Sequence, residues 1–170
     1  MRNIILIGMP GSGKTTVMNL SKEIYGMQVW DTDTYIENLH GKISDIFAKF
    51  GEEHFRALET EAVREICKRD NCLISTGGGC VTREENVQLF KDSGKIVYLK
   101  ANKETLINRL KGDTSRPLLA GNMEERLTEL FNKRASVYES VADIIVDVDG
   151  LTPREVLENI FIKINESGRE

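Results

Sequence analysis

Short apolar runs alternate along this chain with segments in which apolar residues recur every three or four positions. A short apolar run bounded by turn residues is typical of a strand that is buried on both faces. The sequence therefore predicts five strands, at residues 3–7, 28–30, 72–75, 95–99 and 143–147. The helical spacing predicts eight helices, at about residues 15–25, 34–39, 43–50, 51–69, 84–92, 103–111, 123–141 and 153–165.

This alternation of strands and helices predicts the fold class. Connections that run from a strand through a helix to a parallel strand are right-handed in nearly all proteins, and they cover both faces of the sheet with helices. We expect a single domain over residues 1–170, with a five-stranded parallel sheet in a three-layer α/β/α arrangement. Ligands of such folds bind where the strands end at their carboxyl side.

The loop after the first predicted strand reads G-M-P-G-S-G-K-T-T over residues 8–16. It fits the pattern of a glycine, four free positions and Gly-Lys-Thr, between a strand and a helix as a phosphate-binding loop requires. Backbone N–H groups of the loop and of the helix start then point at one anion. Lys14 should reach the β- and γ-phosphates, and the Thr15 hydroxyl should bind Mg²⁺. The predicted nucleotide-binding residues of this loop are Gly11, Ser12, Gly13, Lys14, Thr15 and Thr16.

Two further polar stretches follow predicted strands. Asp31 and Asp33 come after the second strand, and three consecutive glycines at 77–79 come after the third. Because no aspartate ends the third strand, Asp31 is the expected carboxylate for Mg²⁺. Two carboxylates two positions apart at a strand end point to one side, although a helix cap from Thr34 onward is the other interpretation of either residue. The glycines allow a ligand to lie against bare backbone, or they form only a tight turn.

The segment 111–122 interrupts the pattern, since it carries glycines at both ends and Pro117 between two predicted helices. A loop of this kind beside a nucleotide site is often a mobile lid, and a solvated surface loop is the alternative. Phosphoryl transfer is catalysed largely by positioning and by positive charge. Lys14, Mg²⁺ and a lid arginine would supply that charge, and Arg116 is the best lid candidate because Pro117 stiffens the chain beside it.

Composition and charge limit the kinds of partner and the cellular compartment that we expect for this protein. The chain has 170 residues, a formal net charge of −4, 40% hydrophobic and 29% charged residues. The acidic balance argues against a nucleic-acid partner, and no apolar run has membrane-spanning length. The three cysteines follow no disulfide or zinc pattern, and the first strand begins too early for a signal peptide, so we expect a cytoplasmic protein. A self-contained domain of this size can act as a monomer, which is the expected state.

The ordered set of motifs resembles the shikimate kinase family, in the nucleoside-monophosphate-kinase-like branch of P-loop folds, over about residues 2–159. Besides the phosphate loop, the motifs are D-T-D at 31–33, D-I-F-A-K-F-G-E-E-H-F-R at 45–56, G-G-G at 77–79, R-P-L-L at 116–119 and K-R-A-x-x-Y at 133–138. The phosphate loop alone indicates only a nucleotide. The resemblance implies that ATP phosphorylates the 3-hydroxyl of shikimate, a small cyclic acid with three hydroxyls.

The resemblance also implies roles for individual residues. Lys14, Asp33 and Arg116 would be catalytic, with Asp33 orienting the reacting hydroxyl or accepting its proton. Thr15 and Asp31 match the magnesium positions, while Arg109 and Pro153 lie where the adenine binds. The implied substrate-binding helices span about residues 33–62. The implied substrate-binding residues are Asp33, Arg56, Gly77, Gly78, Gly79 and Arg134. Planar guanidinium forks suit the carboxylate that Arg56 and Arg134 would hold.

Three other functions remain open at this point. Another small-molecule kinase of the same branch, acting on gluconate or a nucleoside monophosphate, is the nearest. A GTPase-like switch lacks support, because guanine recognition usually needs an Asn-Lys-x-Asp element. The chain has Asn132-Lys133-Arg134 followed by Ala135, where that element has an aspartate. A nucleotide-binding module without catalysis is the third, and it would have no need of the aspartate pair.

Overall fold

A computed structural model describes residues 2–111 and 122–168 and shows a parallel sheet between layers of helices. The strands are β1 (Asn3–Ile7), β2 (Gln28–Asp31), β3 (Cys72–Ser75), β4 (Gly94–Lys100) and β5 (Ile144–Asp147). The helices are α1 (Lys14–Tyr25), α2 (Thr32–His40), α3 (Ile43–Phe50), α4 (Glu52–Ile66), α5 (Glu84–Ser93), α6 (Lys103–Leu110), α7 (Met123–Val141) and α8 (Pro153–Ser167). The predicted α/β fold class and all five predicted strands are confirmed.

The strand order places β1 at the centre of the sheet. The order is β2-β3-β1-β4-β5, and every neighbouring pair is parallel. Ile5 pairs with Ile74 on one side and with Ile96 on the other, and all three side chains are fully buried. Apolar residues throughout β1 are thus explained by burial on both faces. The loop after β1 consequently opens at the middle of the carboxyl edge, between the ends of β3 and β4.

Helix boundaries differ from the sequence-based ones where caps decide them. Helix α2 begins at Thr32 rather than at residue 34, because the Asp31 side chain accepts a hydrogen bond of 2.8 Å from the Thr34 N–H and acts as its N-cap. Asp33 therefore lies in the first turn of a helix. We expected both carboxylates to point to one side because residues two apart in a strand do so. This reason is wrong, since only Asp31 belongs to a strand.

A short 3₁₀ helix at Cys80–Thr82 follows the glycine turn, and the sequence did not predict it. Its hydrogen bonds run from Cys80 N–H to the Gly77 carbonyl and from Thr82 N–H to the Gly79 carbonyl, at 3.0 and 3.1 Å. Three residues are too few for an apolar period to show in a sequence. This turn of helix fixes the path of the chain just beyond the glycines.

Two hydrophobic clusters hold the described residues together. The larger one surrounds the sheet. The smaller one consists of Ile36, Ile46, Phe55 and Ala62, so that α2, α3 and α4 pack around a core of their own. Helix α4 reaches both clusters, because Val63 and Ile66 belong to the larger one. None of the described helices combines the length and apolar character needed to cross a membrane.

Candidate active site

A cavity of about 400 Å³ opens at the carboxyl edge of the sheet. Its walls contain twelve of the residues predicted from the sequence: Gly11, Ser12, Gly13, Lys14, Thr15, Thr16, Asp31, Asp33, Gly77, Gly78, Arg109 and Pro153. Residues that the sequence did not single out complete the described walls, namely Pro10, Val17, Thr76, Leu110, Val148, Leu151 and Val156. The three strand ends therefore converge as the fold class requires.

The phosphate loop has the backbone that anion binding needs. Gly8 has a φ of +150°, and a Cβ atom there would lie 2.8 Å from the Leu99 carbonyl oxygen and 2.9 Å from the Ser12 hydroxyl. Only glycine fits this position without displacing neighbours. The loop leads into α1, whose first residues, Lys14, Thr15 and Thr16, line the cavity, so that the positive end of the helix dipole lies beside it.

Lys14 is buried beneath this loop. Its Nζ donates hydrogen bonds to the carbonyl oxygens of Gly8 and Met9, at 2.7 and 2.9 Å, and lies 3.4 Å from the Ser12 hydroxyl. Arg109 reaches the same loop from α6 and donates to the Gly11 carbonyl at 3.2 Å. Two cations from different elements thus flank the place where a phosphate chain would lie.

Asp33 sits in an electrostatic environment that disfavours its ionised form. Burial raises the pKa of its carboxyl from 3.8 to about 7; the carboxylates of Asp31 and Glu59 add to the rise, while Lys14 opposes it. A carboxyl that titrates near neutrality can accept a proton or donate a hydrogen bond within the same working range. Asp33 therefore has the chemistry expected of a group beside a reacting hydroxyl.

Arg56 approaches the glycine turn from α4. Its Nη1 donates to Glu59 Oε1 at 2.9 Å and its Nη2 to Glu52 Oε1 at 3.3 Å. Burial lowers the pKa of the guanidinium, but Glu59 and Glu52 outweigh it, so the net pKa is raised and the group stays charged. A Cβ atom at Gly79 would lie 2.6 Å from Arg56 Cζ. The guanidinium thus occupies space that only a glycine leaves open.

Arg134 approaches the turn from the other side, on α7. It is 7% exposed, and a Cβ atom at Gly78 would lie 3.1 Å from its Nη1. Within the described ranges, no carboxylate forms a salt bridge with Arg134. Buried charges are usually paired. A buried cation that forms no salt bridge with a described carboxylate is suited to an anionic ligand.

A buried carboxylate, that of Glu59, provides a further hydrogen-bond acceptor beside the glycine turn. Glu59 is 1% exposed, and its Oε2 has no hydrogen-bond partner among the residues that the structure describes. A Cβ atom at Gly77 would lie 2.8 Å from Asp33 Oδ1 and 3.2 Å from Glu59 Oε2. Two carboxylates therefore face the same space beside the turn, where a ligand hydroxyl can donate to either one.

Comparison with known proteins gives this site a family. The family model described as "Shikimate kinase" matches residues 10–165. The chain belongs to the shikimate kinase family. A relative named shikimate kinase from Thermodesulfovibrio yellowstonii is 46% identical over 163 residues, covering 95% of this chain and 94% of the relative. Another shikimate kinase, from Persephonella marina, is 41% identical and covers 96% of this chain and 99% of its own length.

Solved structures agree with this membership in the shikimate kinase family. A shikimate kinase from Acinetobacter baumannii, determined in complex with shikimate, superposes with a TM-score of 0.93 at 34% identity, covering 98% of this chain and 94% of that one. A shikimate kinase from Aquifex aeolicus superposes with a TM-score of 0.84 at 34% identity, covering 98% of each chain. The P-loop kinase fold and the ATP-dependent kinase class expected from the sequence are confirmed.

The structure separates the predicted shikimate kinase site residues into three groups. The twelve cavity residues lie together, and Arg56, Gly79 and Arg134 adjoin them at the glycine turn. Arg116 and the predicted lid at about 111–122 lie outside the described residues, apart from the two ends of that segment. Glu59, which the sequence offered either as a partner of the site arginines or as a structural residue, and Tyr138, which belongs to the K-R-A-x-x-Y motif but had no role assigned, also lie beside the turn. The i, i+4 spacing of Arg134 and Tyr138 on one helix was the available signal for the tyrosine.

Proposed function

We propose that this chain transfers the γ-phosphoryl group of ATP to the 3-hydroxyl of shikimate, giving shikimate 3-phosphate for aromatic amino acid synthesis. One observation carries the proposal beyond the family name. Two buried guanidinium groups, Arg56 and Arg134, converge on a glycine turn that borders a phosphate-loop cavity. This arrangement suits an acceptor that carries a carboxylate, since planar forks bind carboxylates in a bidentate manner.

The acceptor would lie between the turn and Asp33. Arg56 and Arg134 would hold its carboxylate, and the Gly78 and Gly79 N–H groups, which donate to no residue in the described ranges, would contact it as well. Asp33 would orient the 3-hydroxyl and accept its proton as the new P–O bond forms. A loose phosphoryl-transfer transition state asks little of a base, so orientation is the larger contribution. Gly77 and Glu59 would border the remaining hydroxyls.

The nucleotide would lie along the phosphate loop. The loop residues 11–16 would bind its phosphates through backbone N–H groups and hydroxyls. Lys14 would give up its hydrogen bonds to the Gly8 and Met9 carbonyls and donate to phosphate oxygens instead. Arg109 and Pro153 would flank the adenine, next to the apolar side chains of Val148 and Leu151. Arg116 would add positive charge to the transferred group, as an arginine does in related chemistry.

The residues present fit a magnesium ion. Mg²⁺ prefers one or two protein oxygens together with substrate phosphates, rather than a cage of side chains. Thr15 and Asp31 both line the cavity, and the Asp31 oxygen that does not cap α2 makes no hydrogen bond to a described residue. Among residues 2–111 and 122–168, no group of three or more His, Cys, Asp or Glu side chains is placed to hold a metal ion by itself. Thr15 and Asp31 would hold the ion, which would supply positive charge beside the phosphates of the nucleotide.

The remaining proposals concern the compartment, the oligomeric state, the partners and the domain bounds of the protein. We propose a cytoplasmic monomer that has neither a nucleic-acid nor a membrane partner. The three cysteines are free thiols, as a reducing compartment requires. The net charge of −4 disfavours nucleic acid. We also retain residues 1–170 as one domain, with substrate-binding helices near 33–62 and a lid near 111–122.

A panel of acceptors tests the activity. Purified protein with ATP and Mg²⁺ should release ADP with shikimate, and release should fall strongly with an analogue in which an amide replaces the carboxylate. Gluconate and nucleoside monophosphates form the competing arms. Turnover with gluconate in the absence of turnover with shikimate would overturn the proposed acceptor, and ATP binding without turnover on any acceptor would indicate a module without catalysis.

A further inference from the structure

Tyr138 is a completely buried residue of α7, one helical turn after Arg134. Its hydroxyl donates a hydrogen bond of 2.6 Å to the carbonyl oxygen of Gly78, 60 positions away in the sequence. A buried tyrosine hydroxyl usually finds a partner, so the identity of the partner is the informative part. This partner is the middle carbonyl of the glycine turn beside the cavity.

The three carbonyls of the glycine turn are held in different ways. The Gly77 carbonyl accepts from the Cys80 N–H, and the Gly79 carbonyl accepts from the N–H and the hydroxyl of Thr82, all within the adjoining 3₁₀ helix. The Gly78 carbonyl accepts from Tyr138 and from no other group in residues 2–111 and 122–168. A glycine peptide reorients more easily than any other. The orientation of the middle peptide thus depends on one distant side chain.

Fixing that carbonyl also fixes an N–H group. The Gly78 carbonyl and the Gly79 N–H belong to one planar peptide, and the described chain contains no cis peptide bonds, so the two groups point in opposite directions. The carbonyl is turned toward Tyr138, which directs the Gly79 N–H away from α7. That N–H donates to no described residue and is available to a ligand.

The same hydroxyl adjoins the Arg134 guanidinium. A Cβ atom at Gly78 would lie 3.1 Å from Arg134 Nη1 and 3.4 Å from the Tyr138 hydroxyl oxygen, so the two groups are neighbours at this glycine. Burial raises the pKa of Tyr138, and the nearby Arg134 offsets only part of that rise. The hydroxyl therefore stays protonated and remains a donor over the whole working range of pH.

We propose that Tyr138 is a positioning residue for the acceptor, because it holds the Gly78 carbonyl and so directs the Gly79 N–H at the bound acid, and because its hydroxyl lies against the Arg134 guanidinium. The inference rests on the proposed function, since it requires the glycine turn and Arg134 to contact shikimate. Tyr138 itself touches neither substrate. Its contribution is to the affinity for the acceptor and not to that for the nucleotide.

The adjacent ring supplies a matched control. Tyr98 of β4 is 1% exposed, and its ring centroid lies 5.1 Å from that of Tyr138. Its hydroxyl makes no hydrogen bond to any described residue, and the bond to the Gly78 carbonyl comes from Tyr138. Tyr138→Phe and Tyr98→Phe remove the same atom from two packed rings, but only the first removes a hydrogen bond to Gly78.

Steady-state kinetics on the purified full chain distinguish the two variants. Tyr138→Phe should raise KM for shikimate about tenfold, the size of one lost hydrogen bond, while KM for ATP stays within about twofold. Tyr98→Phe should leave both KM values within about twofold. Tyr138→Phe should also move the ¹H–¹⁵N signal of the Gly79 amide in the free protein. An unchanged KM for shikimate, an equal rise in both KM values, or the same rise in Tyr98→Phe would overturn the proposal.

Two further measurements separate the possible failures. Arg134→Ala tests the site itself: if it leaves KM for shikimate unchanged, the proposed acceptor site fails, and the role of Tyr138 fails with it. If Arg134→Ala weakens acceptor binding and Tyr138→Phe does not, only the positioning role is wrong. Should Tyr138→Phe not fold, titration of the wild-type chain with shikimate must move the Gly79 amide signal, and an unmoved signal overturns the proposal.

Discussion

Arg56 and Glu59 form a buried ion pair one turn apart on α4, with 2.9 Å between Nη1 and Oε1 and side chains that are 8% and 1% exposed. The pair lies beneath the glycine turn, and Glu52, the other partner of Arg56, is largely exposed. Glu59 is therefore the main group that holds the guanidinium in place. Its second oxygen remains available toward Gly77 and Asp33.

Glu59→Gln should destabilise the protein by about 2–3 kcal/mol, because removing one partner of a buried pair leaves the other charge poorly compensated. Urea unfolding followed by circular dichroism measures the change. Glu61→Gln, two positions further on the exposed side of the same helix, is the control and should change stability by less than about 0.5 kcal/mol. Equal effects of the two substitutions would contradict the assignment of Glu59 as the buried partner.

Asp33→Asn should make the free protein more stable at pH 8. The carboxyl has a pKa of about 7 in the folded chain, whereas the ordinary pKa of an aspartate is 3.8, so the folded state binds more protons between these pH values. Stability accordingly falls as pH rises from about 4 to 7, and the penalty remains in full above pH 7. Removing the charge should return about 1–3 kcal/mol at pH 8 and little below pH 4. A pH-independent difference between the two proteins would contradict this.

The pH profile of the reaction should report the same carboxyl. If the ionised form of Asp33 orients the acceptor hydroxyl, kcat/KM for shikimate should rise with pH through a pKa of about 7, since this parameter follows groups of the free enzyme. Asp33→Asn should abolish turnover while ATP binding, measured by calorimetry, persists. Turnover equal to that of the wild type would remove Asp33 from the mechanism.

Arg134→Ala should weaken shikimate binding by about 2–4 kcal/mol, because the acceptor carboxylate would lose a buried charged partner. ATP binding should change little, since Arg134 does not line the phosphate-loop cavity. Calorimetric titration with each ligand separates the two effects. Arg126→Ala, on the exposed side of the same helix, serves as the control. A comparable loss of affinity for both ligands would indicate a folding defect.

Gly79→Ala should impair acceptor binding through Arg56. The new methyl group would lie 2.6 Å from Arg56 Cζ, so the guanidinium must leave its position, at a cost of about 1–3 kcal/mol. KM for shikimate should rise while KM for ATP is retained. Gly168→Ala places its methyl group no closer than 3.6 Å to another heavy atom and should be neutral. A Gly79→Ala enzyme with the wild-type KM for shikimate would show that Arg56 can relocate freely.

Local features of this chain could be read from its sequence, and relationships between distant residues could not. The phosphate loop was predictable because its glycines, Lys14 and Thr15 act within a single turn. A helix cap at Asp31 was one of the two interpretations that the sequence allowed, but the start of α2 at Thr32 was not predicted, so Asp33 lies in the first turn of a helix instead of between a strand and a helix. The pKa of Asp33 depends on Glu59, 26 positions later, and the peptide at Gly78 depends on Tyr138. Contacts of this kind exist only after the chain has folded.

The small cluster of Ile36, Ile46, Phe55 and Ala62 has a consequence for how acceptor choice can change. The helices that carry Asp33 and Arg56 hold one another through this cluster, whereas the phosphate loop is anchored in the sheet. Substitutions within the cluster can reshape the pocket for the acid and leave the phosphate loop intact. Evolution toward a new acceptor could thus change the residues around α2, α3 and α4 and leave the phosphate-binding loop unchanged.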